Sequence, residues 1–327
     1  MKPTILITDD EIHVEKVIDG LKTIADVIRS ENNHEQTLAR EAENVDLIIV
    51  SCFTKITATV LEGAKNLKAV LKYGVGVDNI DLDAATQKGI LVINCPEYGS
   101  DTIAEHAFAL MICLAKKLLH IDALMREKGW LWSLPEFLGT DLFGKTLGLI
   151  GFGRIGRAMA NKALGFGMKL NIYDPYVSPD LVRDFKAEFV SLNTLLQTSD
   201  VVTLHCILTS ETENLIGAAE LKKMKKSAFL IDVSRGAIIE EKALLTALQE
   251  NWIAGAGLDV FAEEPLFPGH PLLSLENVIL TPHLAWYTKE AAERLEQETL
   301  QRTLEILEGK MPQNIKNPEV LKTLNTG

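Results

Sequence analysis

The chain has 327 residues, 47% hydrophobic and 24% charged, with 22 glycines and 11 prolines, which excludes collagen-like, low-complexity and disordered classes. Domains commonly run to about 100–200 residues, so two are expected. Thirty-three Lys and Arg against 45 Asp and Glu give a net charge of -12, which repels phosphate backbones and anionic membranes and sets nucleic acid aside as a partner.

Short apolar runs alternate with helical patterns. Thr4–Thr8, Leu47–Ser51, Ala69–Lys72 and Leu91–Asn94 read as buried strands, with a short helix at Asp83–Lys88 closed by Gly89. Continuous apolar strands between helices predict a parallel sheet covered on both faces. A long helical pattern runs from Thr102 to about Lys128 with no Pro or Gly to break it, followed by an irregular stretch with Trp130, Trp132 and Pro135. The alternation then resumes. Thr146–Ile150, Lys169–Tyr173, Asp200–His205, Phe229–Val233, Ala256–Val260 and Val278–Leu280 read as strands, with helices at Arg157–Leu164, Leu192–Gln197 and Lys242–Gln249. This rhythm suits a second doubly wound sheet. The tail Lys289–Gly309 is helical and is expected to return to the first domain. The predicted division is 1–101 with 288–327 as one domain and 102–287 as the other.

Cys52, Cys95, Cys113 and Cys206 lie far apart, with no CxxC and no Cys/His cluster, so neither a metal site nor a disulfide framework is expected. The longest apolar run, Ala107–Ala115, is nine residues, too short to cross a bilayer. The first residues, MKPTILITDDE, carry no leader pattern, and a cytoplasmic location is expected.

Gly151-Phe152-Gly153-Arg154-Ile155-Gly156 has GxGxxG spacing between a predicted strand and a predicted helix. Gly151 permits a tight turn, Gly153 lets backbone approach a pyrophosphate, and Gly156 allows close helix–strand packing. Amides at the helix start would face the phosphates. Asp174 ends the next strand, 18 residues after Gly156, where its carboxylate would bind a ribose 2′-hydroxyl and repel a 2′-phosphate. The expected cofactor is NAD. Gly74-Val75-Gly76 lacks the third glycine and a strong following helix, so that loop needs another explanation.

Six segments fall in a familiar order: KYGVGVDNID from Lys72, IAEHAFALM from Ile103, GLIGFGRIG from Gly148, DVSRGAIIEEKALLTAL from Asp232, AGAGLDVFAEEP from Ala254 and NVILTPHLAW from Asn277. Together they resemble the D-isomer-specific 2-hydroxyacid dehydrogenases over nearly the whole chain. The resemblance implies a flavodoxin-like substrate domain, a Rossmann NAD-binding domain, and interconversion of a 2-keto acid with a D-2-hydroxy acid. It places a catalytic Arg, Glu and His at Arg235, Glu264 and His283. A 2-keto acid presents a carboxylate beside a carbonyl. Arg235 could bind the first and polarise the second, while His283 exchanges the carbonyl's proton with help from Glu264.

By the same resemblance Gly74, Val75 and Gly76 offer amides to the substrate carboxylate, with Lys72 where many relatives carry Arg. Arg154, Ile155, Val233, Ser234, Asp259 and His205 fall at cofactor contacts, with Asp259 on the nicotinamide carboxamide. Trp286 would wall a small substrate pocket. Ile207 replaces a Pro common in relatives. Trp130 and Trp132 lie where the family builds a dimer contact, so a homodimer is implied. His106 receives no role, and His13, His34, His120 and His270 have no chemical context. Formate dehydrogenase shares this fold but pairs its His with Gln, so Glu264 argues against it. A corepressor-like protein that senses nicotinamide cofactors remains the alternative from another class.

Overall fold

The structure, a computed structural model, describes residues 2–9, 12 and 19–324. Asp10, Glu11 and His13, which entered the sequence reading, lie outside them. The chain divides into two compact units, Met1–Gly99 with Thr288–Gly327, and Ser100–Tyr287.

The first unit is built on β1 (Thr4–Ile7), β2 (Asp26–Arg29), β3 (Leu47–Val50), β4 (Ala69–Lys72) and β5 (Leu91–Asn94). They pair in the order β2-β1-β3-β4-β5, all parallel, which is the flavodoxin-like order. LIIV in β3 and AVLK in β4 are buried at every position, as expected of strands covered on both faces. β2 escaped the sequence reading because it is an edge strand with mostly exposed side chains, DVIR, and so has no apolar run to betray it. The short helix begins one residue earlier than expected, Leu82–Gln87, because the Asp81 carboxylate accepts the Ala84 amide at 2.9 Å. The last long helix, Lys289–Leu307, starts on Thr288, whose hydroxyl accepts the Ala291 amide, and stops before Gly309 at φ +70°.

The second unit carries β6 (Thr146–Ile150), β7 (Lys169–Tyr173), β8 (Glu188–Phe189), β9 (Val201–Leu204), β10 (Phe229–Asp232), β11 (Gly255–Leu258) and β12 (Val278–Leu280). The order β12-β11-β10-β9-β6-β7-β8 is wholly parallel and reverses between β6 and β9. Crevices outside the strand ends at such a reversal are where ligands bind in doubly wound folds. β8, another exposed edge strand, gave no sequence signal.

The expected single helix from Thr102 to Lys128 is instead two, Ser100–Lys116 and Leu118–Lys128, with Lys117 at φ 52° between them. The break comes from tertiary structure rather than from a breaker residue. The Thr140 amide donates to the Ala115 carbonyl at 2.7 Å, taking an acceptor that the continuing helix would have used. Gly139 lets the chain come that close, since a Cβ there would lie 2.6 Å from the same oxygen. The first helix buries Ile103, Ala107, Phe108, Leu110 and Met111, whereas the second buries nothing. Among the described residues no helix is long and apolar enough to cross a membrane.

Candidate active site

The dinucleotide turn is built by its glycines. Gly151 follows β6 at φ +92°, and a Cβ on it would lie 2.6 Å from the Cys206 amide nitrogen. The helix begins at Arg154, three residues before the predicted start, with Gly153 as its N-cap. Gly156 therefore lies inside the first turn, where a Cβ would meet the Gly151 carbonyl oxygen at 2.3 Å. At Gly153 a Cβ would meet nothing within 4 Å. The turn is thus closed on the protein side and open at Gly153, which fits the approach of a pyrophosphate to the helix N-terminus. Arg154 is exposed beside it, and Ile155 packs against the apolar core.

Asp174 follows β7. Its carboxylate accepts the Phe152 amide at 2.7 Å and the Tyr176 amide at 2.9 Å, tying it to the glycine turn. The Tyr176 hydroxyl bonds to Glu211, a second carboxylate that the sequence reading missed. Replacing Asp174 with Ala is expected to narrow the kcat/KM ratio of NADH over NADPH by about tenfold or more, since like-charge contacts cost several kcal/mol. Loss of the Phe152 partner weakens both cofactors alike, so the ratio isolates the charge. An unchanged ratio would move cofactor discrimination to another residue.

His205 follows β9, with Nε2 3.0 Å from Thr203 Oγ1 and Nδ1 enclosed without a partner among the described residues. Burial pushes its imidazole down to about 3, so the ring is neutral near pH 7. Exposed Ile207, where relatives often have Pro, is held through its carbonyl by the Thr212 hydroxyl at 2.6 Å.

Val233, Ser234 and Arg235 leave the end of β10. Val233 belongs to the apolar core, which leaves its backbone for any ligand contact. Ser234 donates its amide and hydroxyl to Asp232 Oδ1 at 2.8 and 2.6 Å, and Arg235 Nη1 donates to the Ser234 carbonyl at 2.7 Å. Gly236 then packs its bare Cα against Phe261, where a Cβ would lie 2.0 Å from the carbonyl carbon. The Phe261 amide in turn donates to Glu264 Oε1 at 3.0 Å.

Asp232, also missed from sequence, is fully buried, and its Oδ2 has no partner among the described residues. Burial, with the nearby Asp259 charge, pushes its carboxyl up to about 7 against the pull of Ser234 and Arg235. Between the unfolded value of about 3.9 and that raised value, the folded protein holds a proton that the unfolded chain has released. Stability therefore falls as pH rises through this window, by on the order of 4 kcal/mol, and the cost is complete above it. Asp232→Asn keeps an oxygen for Ser234 and is expected to raise Tm at pH 8 by several degrees more than at pH 5. Equal differences at the two pH values would locate the cost elsewhere.

The remaining residues sit on the β11 and β12 ends. His283 Nδ1 lies 2.7 Å from Glu264 Oε2. Burial alone would raise the Glu264 carboxyl, but the His283 hydrogen bond and charge, the Phe261 amide and Arg235 outweigh it and hold it below the usual value. His283 takes the left-handed conformation, φ 56°, and its amide donates to the Asp259 carbonyl at 2.8 Å. Asp259 is fully buried. Its Oδ1 accepts the Thr281 hydroxyl at 2.5 Å and the Leu284 amide at 2.9 Å, and its Oδ2 accepts the Ala285 amide at 2.8 Å. It therefore braces the His283 turn. Trp286 is partly buried against the core of this unit and makes an edge contact with Tyr287 at 5.1 Å. His270, given no context from sequence, caps a turn by accepting the Leu272 amide and lies 3.2 Å from Glu241.

In the first unit, Gly74 leaves β4 at φ +136°, and the Asn94 side chain donates to the Val75 carbonyl at 2.6 Å. Val75 and Gly76 are half-buried. Lys72 is enclosed at 2% exposure, and its ammonium donates to the Ser51 carbonyl and to Asn79 Oδ1, each at 2.7 Å. These bonds tie the end of β4 to Ser51 and to Asn79, three residues past Gly76.

Residues 108–285 match the D-isomer-specific 2-hydroxyacid dehydrogenase NAD-binding domain. Glyoxylate reductase of Korarchaeum cryptofilum is 41% identical over 90% of this chain and 89% of its own. Its counterpart in Thermococcus litoralis is 43% identical over 87% of each. The structure of D-lactate dehydrogenase from Aquifex aeolicus with NAD and lactic acid superposes with a TM-score of 0.86 at 32% identity, covering 98% of both chains. With its flavodoxin-like and Rossmann sheets and its NAD-binding turn, the chain belongs to the D-isomer-specific 2-hydroxyacid dehydrogenases, NAD-dependent oxidoreductases.

Proposed function

We propose that this dehydrogenase reduces glyoxylate, or a 2-keto acid of similar size, to its 2-hydroxy acid, with His283 as the proton donor. The observation that carries the reading is the 2.7 Å contact between His283 Nδ1 and Glu264 Oε2. A carboxylate on Nδ1 fixes the proton there, so exchange with substrate runs through Nε2. The bound nicotinamide supplies or accepts the hydride. Arg235 binds the substrate carboxylate with a planar fork and draws charge from the adjacent carbonyl. As that oxygen gains charge, His283 delivers its proton, and Glu264 stabilises the imidazolium poised to do so. In the reverse direction neutral His283 takes the hydroxyl proton.

Cofactor contacts are assigned to Gly151, Gly153, Arg154, Ile155, Gly156, Asp174, His205, the Val233–Ser234 backbone and Asp259. The Gly74–Gly76 loop, braced by Lys72, is a second carboxylate-binding element. The size preference rests on the likeness to glyoxylate reductases, with Trp286 as the side chain that sets it. Trp130 and Trp132 are 74% and 79% exposed, with Leu138 also bare, and we assign this apolar surface to a homodimer. Light scattering should give twice the 36.1 kDa chain mass, and a monomer would remove that assignment.

The test is NADH consumption by the purified protein across glyoxylate, hydroxypyruvate, pyruvate and bulkier 2-keto acids. Highest kcat/KM on glyoxylate is expected. Preference for a bulky acid would overturn the size assignment, and tight NADH binding without turnover on any acid would favour the cofactor-sensing alternative.

A further inference from the structure

His106 has no part in the chemistry described so far, yet it ends a chain of hydrogen bonds that leads to the catalytic turn. It lies in the helix Ser100–Lys116 with its side chain 25% exposed. Its Nε2 is 2.9 Å from Thr281 Oγ1 and 3.6 Å from Asp259 Oδ1. The Thr281 hydroxyl donates to Asp259 Oδ1. A hydroxyl has one proton, and Thr281 gives it to Asp259, so towards His106 it accepts. The tautomer of His106 follows from this: the proton is on Nε2.

Asp259 is where this chain meets the catalytic histidine. A fully buried carboxylate is costly unless it accepts hydrogen bonds, and here three come from the segment that carries His283. The Leu284 and Ala285 amides and the Thr281 hydroxyl all converge on its oxygens, while its own carbonyl accepts the His283 amide. His283 is thereby kept at φ 56°, a left-handed conformation costing a residue with a Cβ about 1–2 kcal/mol. The single Thr281 proton is directed at Asp259, and the lone pair on its other side is open to a donor. His106 is that donor.

We propose that His106 is a positioning residue for His283: through Thr281 and Asp259 it holds the left-handed turn that sets the imidazole against Glu264. The proposal rests on the acid–base reading of His283, and its test separates the two. His106→Leu removes the donor. His106→Gln places an amide N–H near the same point.

In His106→Leu, kcat on the best 2-keto acid is expected to fall about tenfold, with KM and NADH affinity within about twofold, because small displacements of a reacting group are felt in turnover. His106→Gln should recover kcat to within about threefold. Thr281→Val, which breaks the same bond from its other end, should match His106→Leu and serves where that variant folds poorly. In a His283→Ala background, adding His106→Leu should cost nothing further, since a group acting through His283 has nothing left to position.

The proposal falls if His106→Leu and Thr281→Val keep kcat within about twofold, if Gln gives no recovery, or if the loss persists undiminished without His283. Normal turnover by His283→Ala alone would sink the acid–base reading. Slow turnover there with a normal His106→Leu enzyme would sink only the role of His106.

Discussion

Replacing His283 with Ala is expected to lower kcat for 2-keto acid reduction by about 100- to 10,000-fold, the usual contribution of a positioned general acid, and to change NADH affinity by no more than about twofold. The expectation rests on geometry. Glu264 holds Nδ1 at 2.7 Å, and the backbone at 283 is tied to the Asp259 carbonyl whatever the side chain. Alanine keeps the amide bond to the Asp259 carbonyl, so the turn stays in place and the variant loses the imidazole. Stopped-flow NADH oxidation with saturating keto acid separates the chemical step from product release. A variant within about tenfold of the parent would leave the proton to another donor and remove His283 from the mechanism.

Arg235→Lys should lower kcat/KM by about 10- to 100-fold, with the loss divided between kcat and KM. Lysine keeps the charge and loses the plane. The guanidinium is oriented by its bond to the Ser234 carbonyl at 2.7 Å, and that carbonyl belongs to a residue clamped twice by Asp232. A fork oriented in this way can hold both carboxylate oxygens while facing the carbonyl next to them, which a single ammonium cannot do. Loss confined to KM would make Arg235 a ground-state binder alone. Full activity would assign the carboxylate to another cation.

What could be read from the sequence was what short-range chemistry decides. The dinucleotide turn is legible because a sharp turn, an open approach and a tight helix contact each demand glycine within six residues, Gly151 to Gly156. The buried parallel strands were legible as unbroken apolar runs. What stayed hidden depends on partners distant in the chain. β2 and β8 are strands only because a neighbouring strand pairs with one side of each, so their own residues carry no pattern. The bend at Lys117 is imposed from Thr140. In the candidate site, Arg235, Glu264 and His283 stood out by motif, but Asp232 and Thr281 gave no chemical signal, since a carboxyl at a strand end and a Thr before Pro are ordinary until burial and neighbours are known. His106 was visible as a residue and invisible as a donor, because its partner lies 175 positions away.

Gly236 carries a further lesson. It has nothing to ionise, donate or stack, yet its missing β-carbon sets how near the Arg235 loop comes to Phe261, whose amide holds Glu264. Even one methyl there would wedge the cation-bearing loop away from the carboxylate-bearing one. A saturation screen scored only by turnover would rank position 236 alongside His283, and a screen scored for ligand contacts would pass over it. The spacing of the reactive groups is inherited from an atom that is not there.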